Sequence, residues 1–303
     1  MIEYFENTHF EEKPLFSILI PTWNNLPFVQ LCVKGIRQNS TYRHQIILHI
    51  NDGSDGTIAW AKAEGLDFSY SPQNIGICMA CNAAYSLAKA DYILYLNDDM
   101  YPCPEWDFHL YQAVLEHGTP DFYFSSTQID RFEGHWKAIS HGHDYGDSVE
   151  NFREEALLRE YTQCAIPDWQ GASIPPSLMH RYYWNLIGGF SIELSPGIYS
   201  DPDISRKLWA AGVRHFRGIG RSLVYHFVSK SLHRVPHNDG RAQFLKKWDI
   251  TARTFYDHYL RFYADGRPIP YLEETSQPSI PKLLRVKNFL TKIQTLNKKG
   301  SMR

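Results

Sequence analysis

The stretch YLNDDMYPCPEW, Tyr95 to Trp106, sets Asn97, Asp98 and Asp99 directly after strand-forming residues and just before two prolines. Three oxygen-bearing side chains at a core edge repel one another unless water, hydrogen-bond donors or a cation satisfies them. Hard divalent cations take carboxylate oxygens, and manganese also accepts imidazole. Two readings stand at this point: a polar strand end whose acids cap a turn before Pro102, or a site that holds a cation. A second acidic group, Asp201-Pro202-Asp203, opens a helical pattern. Proline is favoured at the first helical position, so Asp201 is a candidate helix cap, and a carboxylate fixed there is also a candidate general base. His226 ends the run SLVYHF, where a lone histidine is either a packed core residue or a ligand.

The elements that must position these residues follow from the apolar pattern. FSILI (Phe16–Ile20) is uninterrupted, as a strand covered on both faces should be, and a helical spacing follows through Phe28, Leu31, Cys32, Gly35 and Ile36. QIILHI closes on the turn cluster NDGSDG, and DFSYS, PQNIG and a helix over about 77–89 come next. YILYL, a helix from Glu105 to His117 and the strand FYFS complete a β-α-β-α series. That order predicts an α/β fold with a mainly parallel, doubly wound sheet, in which ligands bind beyond the carboxyl ends of the strands. The polar residues after Ile20, Ile50 and Leu96 should therefore share one crevice.

Residues from Gln128 to about Ala165 carry no clean period and read as an insertion or acceptor-side loop. SLMHRYYWNLIGGF and DISRKLWAAG read as helices ended by glycine, and Asp239 to Tyr263 as one long amphipathic helix. From Ser276 onward there are seven basic residues (Lys282, Arg285, Lys287, Lys292, Lys298, Lys299, Arg303) and no acidic one. Leu283, Val286, Phe289, Leu290, Ile293 and Leu296 share a helical face there, which fits an anionic membrane surface or packing on the domain or a partner.

At 303 residues, 43% hydrophobic and 21% charged, the chain reads as a soluble globular protein. Its 31 basic and 33 acidic residues nearly cancel, so no global field points to nucleic acid. No apolar run approaches the roughly 18 residues of a membrane span. The acidic start MIEYFENTHFEEKP shows no secretory pattern, and five cysteines, an odd number, suggest reduced thiols in a cytoplasm. Cys78 and Cys81 form a lone C-x-x-C whose helical spacing favours a packed face over zinc. No G-x-G-x-x-G, P-loop or G-x-S-x-G elbow is present.

Six segments in register then resemble family 2 glycosyltransferases of the GT-A fold: SILIPTWNN, INDGSDGT, NIGICMACN, YLNDDM, GGF with SDPDISRKLWAAG, and VYHFVSKS. The likeness runs from about Phe16 to Ser231. It implies a GT-A type, Rossmann-like sheet over residues 1–265, with a nucleotide-binding half at about 14–127 and an acceptor half at about 128–265, followed by the basic amphipathic, helical extension read above, over 266–303. It implies an inverting transfer of a sugar from a UDP- or dTDP-linked donor, with Mn2+ or Mg2+, to a hydroxyl of a glycan or lipid-linked acceptor. A divalent cation would act as the Lewis acid that stabilises the departing diphosphate.

By the same resemblance Asp99 and His226 would hold the metal, and Asp98 would face the ribose or sugar. Asn97 stands where the family has a first carboxylate. Asp52, with Pro21, Thr22 and Asn24, would form the base pocket, and Asn74 and Gly76 a further nucleotide contact, with Asn82 beyond them. Turn chemistry is the alternative for each. Asp201 matches the surviving acid of the family's E-D pair, Ser200 replacing the glutamate, and would be the base with Asp203 as fallback. Trp169, Gln170 and Gly171 would line the sugar and acceptor pocket, although Trp169 could equally be core. Ser229 and Ser231 would approach phosphate or a closing loop. A catalytically silent GT-A protein that binds sugar nucleotide or glycan is the alternative to a cytoplasmic enzyme peripheral to the inner membrane face. A nucleotidyltransferase is disfavoured because PTWNNLPF carries no basic residue for a triphosphate.

Overall fold

A computed structural model describes residues 1–131, 140–228, 238–264, 267–272, 278 and 280–300, with side chains left out at 140–141, 263–264, 267–268 and 297–300. Its strands are β1 (Glu3–Phe5), β2 (Phe16–Trp23), β3 (Gln45–Asn51), β4 (Asp67–Ser71), β5 (Tyr92–Tyr95), β6 (Met100–Pro102), β7 (Phe122–Asp130), β8 (Ser140–His141), β9 (Trp169–Gln170), β10 (Ser177–His180) and β11 (His215–His226). The helices are α1 (Leu26–Asn39), α2 (Thr57–Ala63), α3 (Gly76–Tyr85), α4 (Trp106–His117), α5 (Glu154–Glu160), α6 (Arg181–Ile187), α7 (Ser200–Ala210), α8 (Gly240–Trp248), α9 (Ala252–Phe255) and α10 (Lys282–Gly300).

One eleven-stranded sheet runs in the order β1-β4-β3-β2-β5-β10-β7-β11-β6, with β8 beside β7 and β9 beside β11. β4, β3, β2 and β5 are parallel, and β7 and β11 are parallel to each other. β10 is antiparallel to both β5 and β7, so those two strands point the same way. The carboxyl ends of β2, β3, β4, β5, β7 and β11 therefore face one edge. β2 and β3 are buried along almost their whole length, which explains their largely apolar runs, while the polar side chains within them, Ser17, Gln45 and His49, are hydrogen-bonded. One core cluster under β2, β3, α1 and α4 includes Ile18, Ile20, Val33, Leu48 and Trp106. Another, on the opposite face, joins Leu19 and Ile47 to Cys78, Cys81, Ile204, Leu208 and Phe255. Cys78 and Cys81 are thus free core thiols on the packed face of α3.

Three elements differ from the sequence expectation. SLMH is strand β10, not the start of a helix; Ser177–Met179 are buried between β5 and β7, and tertiary pairing overrides the helical pattern. α6 starts only at Arg181, where the His180 imidazole accepts the Tyr182 backbone N–H. The long helix over 239–263 is broken: α8 stops at Asp249, whose φ of 60° is left-handed, and Thr251 caps a new helix by accepting from the Thr254 backbone N–H. β7 also continues to Asp130, beyond the predicted FYFS.

α10 is mounted with its polar face inward. Asn288 is 3% exposed and accepts from the Thr254 hydroxyl at 3.2 Å, and Lys292 pairs with Asp249. On the other side Leu283, Val286, Phe289, Leu290, Ile293 and Leu296 face solvent, Leu283 at 81% and Phe289 at 62% exposure. The 100° helical step puts Leu283, Val286, Leu290 and Ile293 opposite Asn288, with Phe289 and Leu296 on the flank of that face. Lys298 and Lys299, whose side chains are left out, and Arg303 lie outside what the structure describes, as do Ser229 and Ser231.

Candidate active site

The sheet topology delivers the acids to one place. β6 follows Asp99 immediately and pairs antiparallel with the end of β11, so Met100 is opposite His226 and the Phe227 N–H donates to the Asp99 carbonyl at 3.1 Å. His226 Nε2 then lies 3.6 Å from Asp99 Oδ1. On the other side of the ring, Nδ1 lies 3.4 Å from Asp130 Oδ1 at the end of β7. The Asp130 oxygen and Nδ1 are buried and set off the angles of a proper hydrogen bond. Burial opposes the charge on His226, but the flanking carboxylates, Asp99 first, outweigh it and raise its pKa to about 10. Two acids thus demand positive charge at this ring, which a proton supplies in the ion-free protein and a bound cation would supply in the proton's place.

The donor set fits a divalent cation. Asp99 is 5% exposed and its carboxylate faces Nε2 across a gap too long for a hydrogen bond. Asp130 faces the other ring nitrogen, the carboxylate–histidine arrangement that fixes a ligating imidazole. Asp99 and His226 Nε2 would hold the ion and Asp130 would orient the ring. Asp130 was missed in the sequence because the loop assigned from Gln128 cut β7 short.

Asp98 is buried and accepts from the Thr22 hydroxyl at 2.7 Å, joining the ends of β2 and β5. Asn97 Oδ1 accepts from the Tyr95 hydroxyl at 2.7 Å. Its Nδ2 therefore presents donors, where a carboxylate would present only acceptors. Neither Asp98 nor Asp99 caps a helix: α4 begins at Trp106, after Glu105 with left-handed φ.

Beside this group, Asn24 Nδ2 donates to Asp52 Oδ2 at 3.0 Å. Both residues hold left-handed backbone, φ 44° and 64°, the kind of strain a surrounding structure must enforce. Pro21 lies within buried β2, paired with His49. Asn74 accepts the Gly76 N–H at 2.9 Å in an Asx turn. A Cβ on Gly76 would stand 2.6 Å from Pro196 Cα, so this glycine serves a close backbone approach. Asn82 clamps the turn before β-branched Ile192 by bonding both the N–H and the carbonyl of Phe190, at 2.9 and 2.8 Å. Its amide is spent on structure.

Asp201 stands in the first turn of α7 and is not its cap; that position belongs to Tyr199. Burial pushes its carboxyl up to about 7. Its charge also acts on the Tyr95, Tyr123 and Tyr256 phenols and on Cys81, which places it among them. The Tyr95 phenol, raised by burial first, feels both Asp201 and Asp99. The candidate base and the candidate metal ligand thus both lie within electrostatic reach of one buried phenol.

Three expected pocket residues, and the fallback base, are occupied elsewhere. Trp169 is 1% exposed in a core cluster with Phe262, and its indole N–H donates to the Thr127 hydroxyl at 2.9 Å. It cannot stack on a sugar from there. Gln170, also buried, accepts the Leu272 N–H at 3.1 Å. Gly171, φ 86°, lies against Leu260 and Phe262, where a Cβ would stand 2.9 Å from the Leu260 carbonyl oxygen. Asp203 accepts from Ser191 at 2.5 Å, from the Trp248 indole at 2.7 Å and from Lys247 at 3.1 Å. A carboxylate saturated by these donors is a structural tie between α7 and α8, not a base.

A mostly parallel sheet carrying an acid cluster at its carboxyl edge defines a GT-A-like, Rossmann-type glycosyltransferase fold. A family model described as Glycosyl transferase family 2 matches residues 17–174, just over half of the chain, and the chain belongs to that family. Among curated proteins it is 23% identical over 272 residues to the uncharacterised protein y4gI of Sinorhizobium fredii, covering 82% of this chain and 28% of that one. It is 34% identical over 110 residues to the hyaluronan synthase of Pasteurella multocida, covering 33% of this chain and 11% of the synthase. The chain thus spans under a third of either relative. S. aureus TarS 1-349, solved in complex with UDP-GlcNAc, superposes with a TM-score of 0.56 over 93% of this chain and 72% of that one, at 10% identity, a likeness of fold.

Proposed function

We propose that the chain is an inverting hexosyltransferase-like enzyme that moves a sugar from a UDP- or dTDP-linked donor to a hydroxyl of a glycan or lipid-linked acceptor. The observation that carries this reading is the convergence of Asp99, His226 and Asp130 at the carboxyl edge of the sheet, where such a fold binds its ligand. A base near neutrality and a charge-stabilising site within one crevice are what direct displacement at an anomeric carbon needs. Asp52, Asn24 and Thr22 receive the nucleoside, and Asp98 and Asn97 the ribose and sugar. Mn2+ or Mg2+ held by Asp99 and His226 would neutralise the departing diphosphate, with imidazole favouring manganese. Asp201, ionised above about pH 7, takes the proton of the acceptor hydroxyl as that oxygen attacks. With Asp201 as the one assigned base and no nucleophile assigned among the described residues, the reading is a single displacement with inversion.

The silent-binder reading rests on Asn97 in place of a carboxylate and Ser200 in place of a glutamate. A panel of sugar nucleotides, with Mn2+ or Mg2+ and glycan or lipid-linked acceptors, separates the two. Metal-dependent nucleotide release supports the transferase; metal-dependent binding without release across the panel supports the binder.

The outward apolar face of α10, rimmed by Lys282, Arg285 and Lys287, has the apolar exposure and positive charge that would suit an anionic lipid surface. A peripheral enzyme docked there, on the cytoplasmic face, would meet lipid-linked or cell-envelope acceptors. No described helix is long and apolar enough to cross a membrane.

A further inference from the structure

We infer that His117, Asp121 and His215 form a site for a borderline transition cation of the zinc class, at the amino end of the sheet and remote from the donor crevice. One ligand atom from each of these three residues lies within 4.8 Å of the others. His117 ends α4, Asp121 immediately precedes β7, and His215 opens β11. β7 and β11 pair from Phe122 and His215 onward, so the group belongs to the strand starts, whereas Asp130 and His226 are at the strand ends. Nine residues of β7 at strand rise separate the two places by about 25 Å.

The side chains already converge without an ion. His117 Nε2 is 3.3 Å from Asp121 Oδ1 and 3.0 Å from the Thr119 hydroxyl, which in turn bonds Asp121. The two imidazole rings have centroids 4.3 Å apart. Tyr271 places its hydroxyl 2.9 Å from His215 Nδ1, an outer contact of the kind that fixes a ligating ring. The carbonyl end of α4 adds negative potential beside His117. Two imidazoles and one carboxylate, all partly exposed to solvent, are a set that zinc takes in tetrahedral geometry and that magnesium and calcium do not favour. A bound ion would tie the end of α4 to the starts of two neighbouring parallel strands, a clamp and not a catalytic centre. This site stands or falls independently of the transferase reading.

The test is zinc titration of the tag-free full chain after chelator stripping, by calorimetry and by competition with a chromophoric chelator. The expected result is one tight equivalent, retained in Asp99→Ala and lost in His117→Gln/His215→Gln, with Tyr271→Phe weakening it by about 10-fold. The double variant should keep the wild-type circular dichroism. X-ray absorption at the zinc edge, read on the wild-type complex, should show two imidazoles and an oxygen shell even if the double variant fails to fold. Equal stoichiometry and affinity in the folded double variant would overturn the site, as would a sulfur shell around the zinc or no tight equivalent at all in the wild type.

Discussion

Asp130 Oδ1 lies 3.4 Å from Nδ1 of His226, on the side of the ring opposite Asp99. This arrangement leaves Nε2 and the Asp99 carboxylate facing each other, and it gives Asp130 a job that the acid cluster alone does not explain. Asp130→Asn should lower Mn2+ affinity by about 10- to 100-fold while leaving the thermal unfolding profile near wild type. Manganese titration followed by electron paramagnetic resonance reads this directly; an unchanged affinity removes Asp130 from the site.

Asp99→Ala should abolish metal-dependent nucleotide binding, because it deletes the carboxylate ligand and leaves His226 facing only Asp130. Calorimetry with UDP, with and without Mn2+, measures the difference. Metal enhancement of the same size in wild type and variant would contradict the proposed ligand set.

Asp201 has a sharp pH signature. Its carboxyl sits at about 7 in the fold against an ordinary value of about 3.9. The acid limb of the rate should therefore rise tenfold per pH unit and level off above about 7. Stability moves the opposite way: between about pH 4 and 7 the folded state holds a proton that the unfolded chain has lost, so stability falls as pH rises and is constant above 7. The loss is a few kcal/mol at most, since the residue is partly exposed. Asp201→Asn should remove this slope and be the more stable protein at pH 8. Urea unfolding of both proteins from pH 5 to pH 8 checks it.

The outward face of α10 predicts salt-sensitive binding to vesicles containing anionic phospholipid. Phe289→Glu/Leu290→Glu should abolish it, and Lys282→Gln/Arg285→Gln should weaken it by roughly 30-fold, at about 1 kcal/mol per basic residue. Neither pair contacts the crevice. Cosedimentation that is unaffected by the glutamate pair would count against membrane docking through this face.

How much of this was legible in the sequence depended on the neighbours each residue type requires. β2 and β3 were plain because strands buried on both faces need largely apolar runs, and the polar residues after them had only the shared edge to occupy. β10 was hidden, since SLMHRYYWNL gives no period that separates a short buried strand from a helix. The break at Asp249 was equally silent, because aspartate tolerates left-handed backbone without announcing it as glycine does. Trp169, Gln170 and Asp203 were read as pocket residues from their place near matched segments, but their partners, Thr127, Leu272, Lys247 and Trp248, come from distant sequence. Asp130 had no periodic signal to announce it, because FYFSSTQID does not alternate and is buried on both faces up to its acidic end.

The measurement that reaches furthest is sugar transfer by Asp201→Asn compared with wild type, with the donor and metal that give turnover and with nucleotide affinity measured alongside. The proposed mechanism predicts a rate loss of about 10²- to 10⁴-fold at unchanged donor affinity. Transfer by the variant at the wild-type rate, with the same donor affinity, would contradict Asp201 as the base.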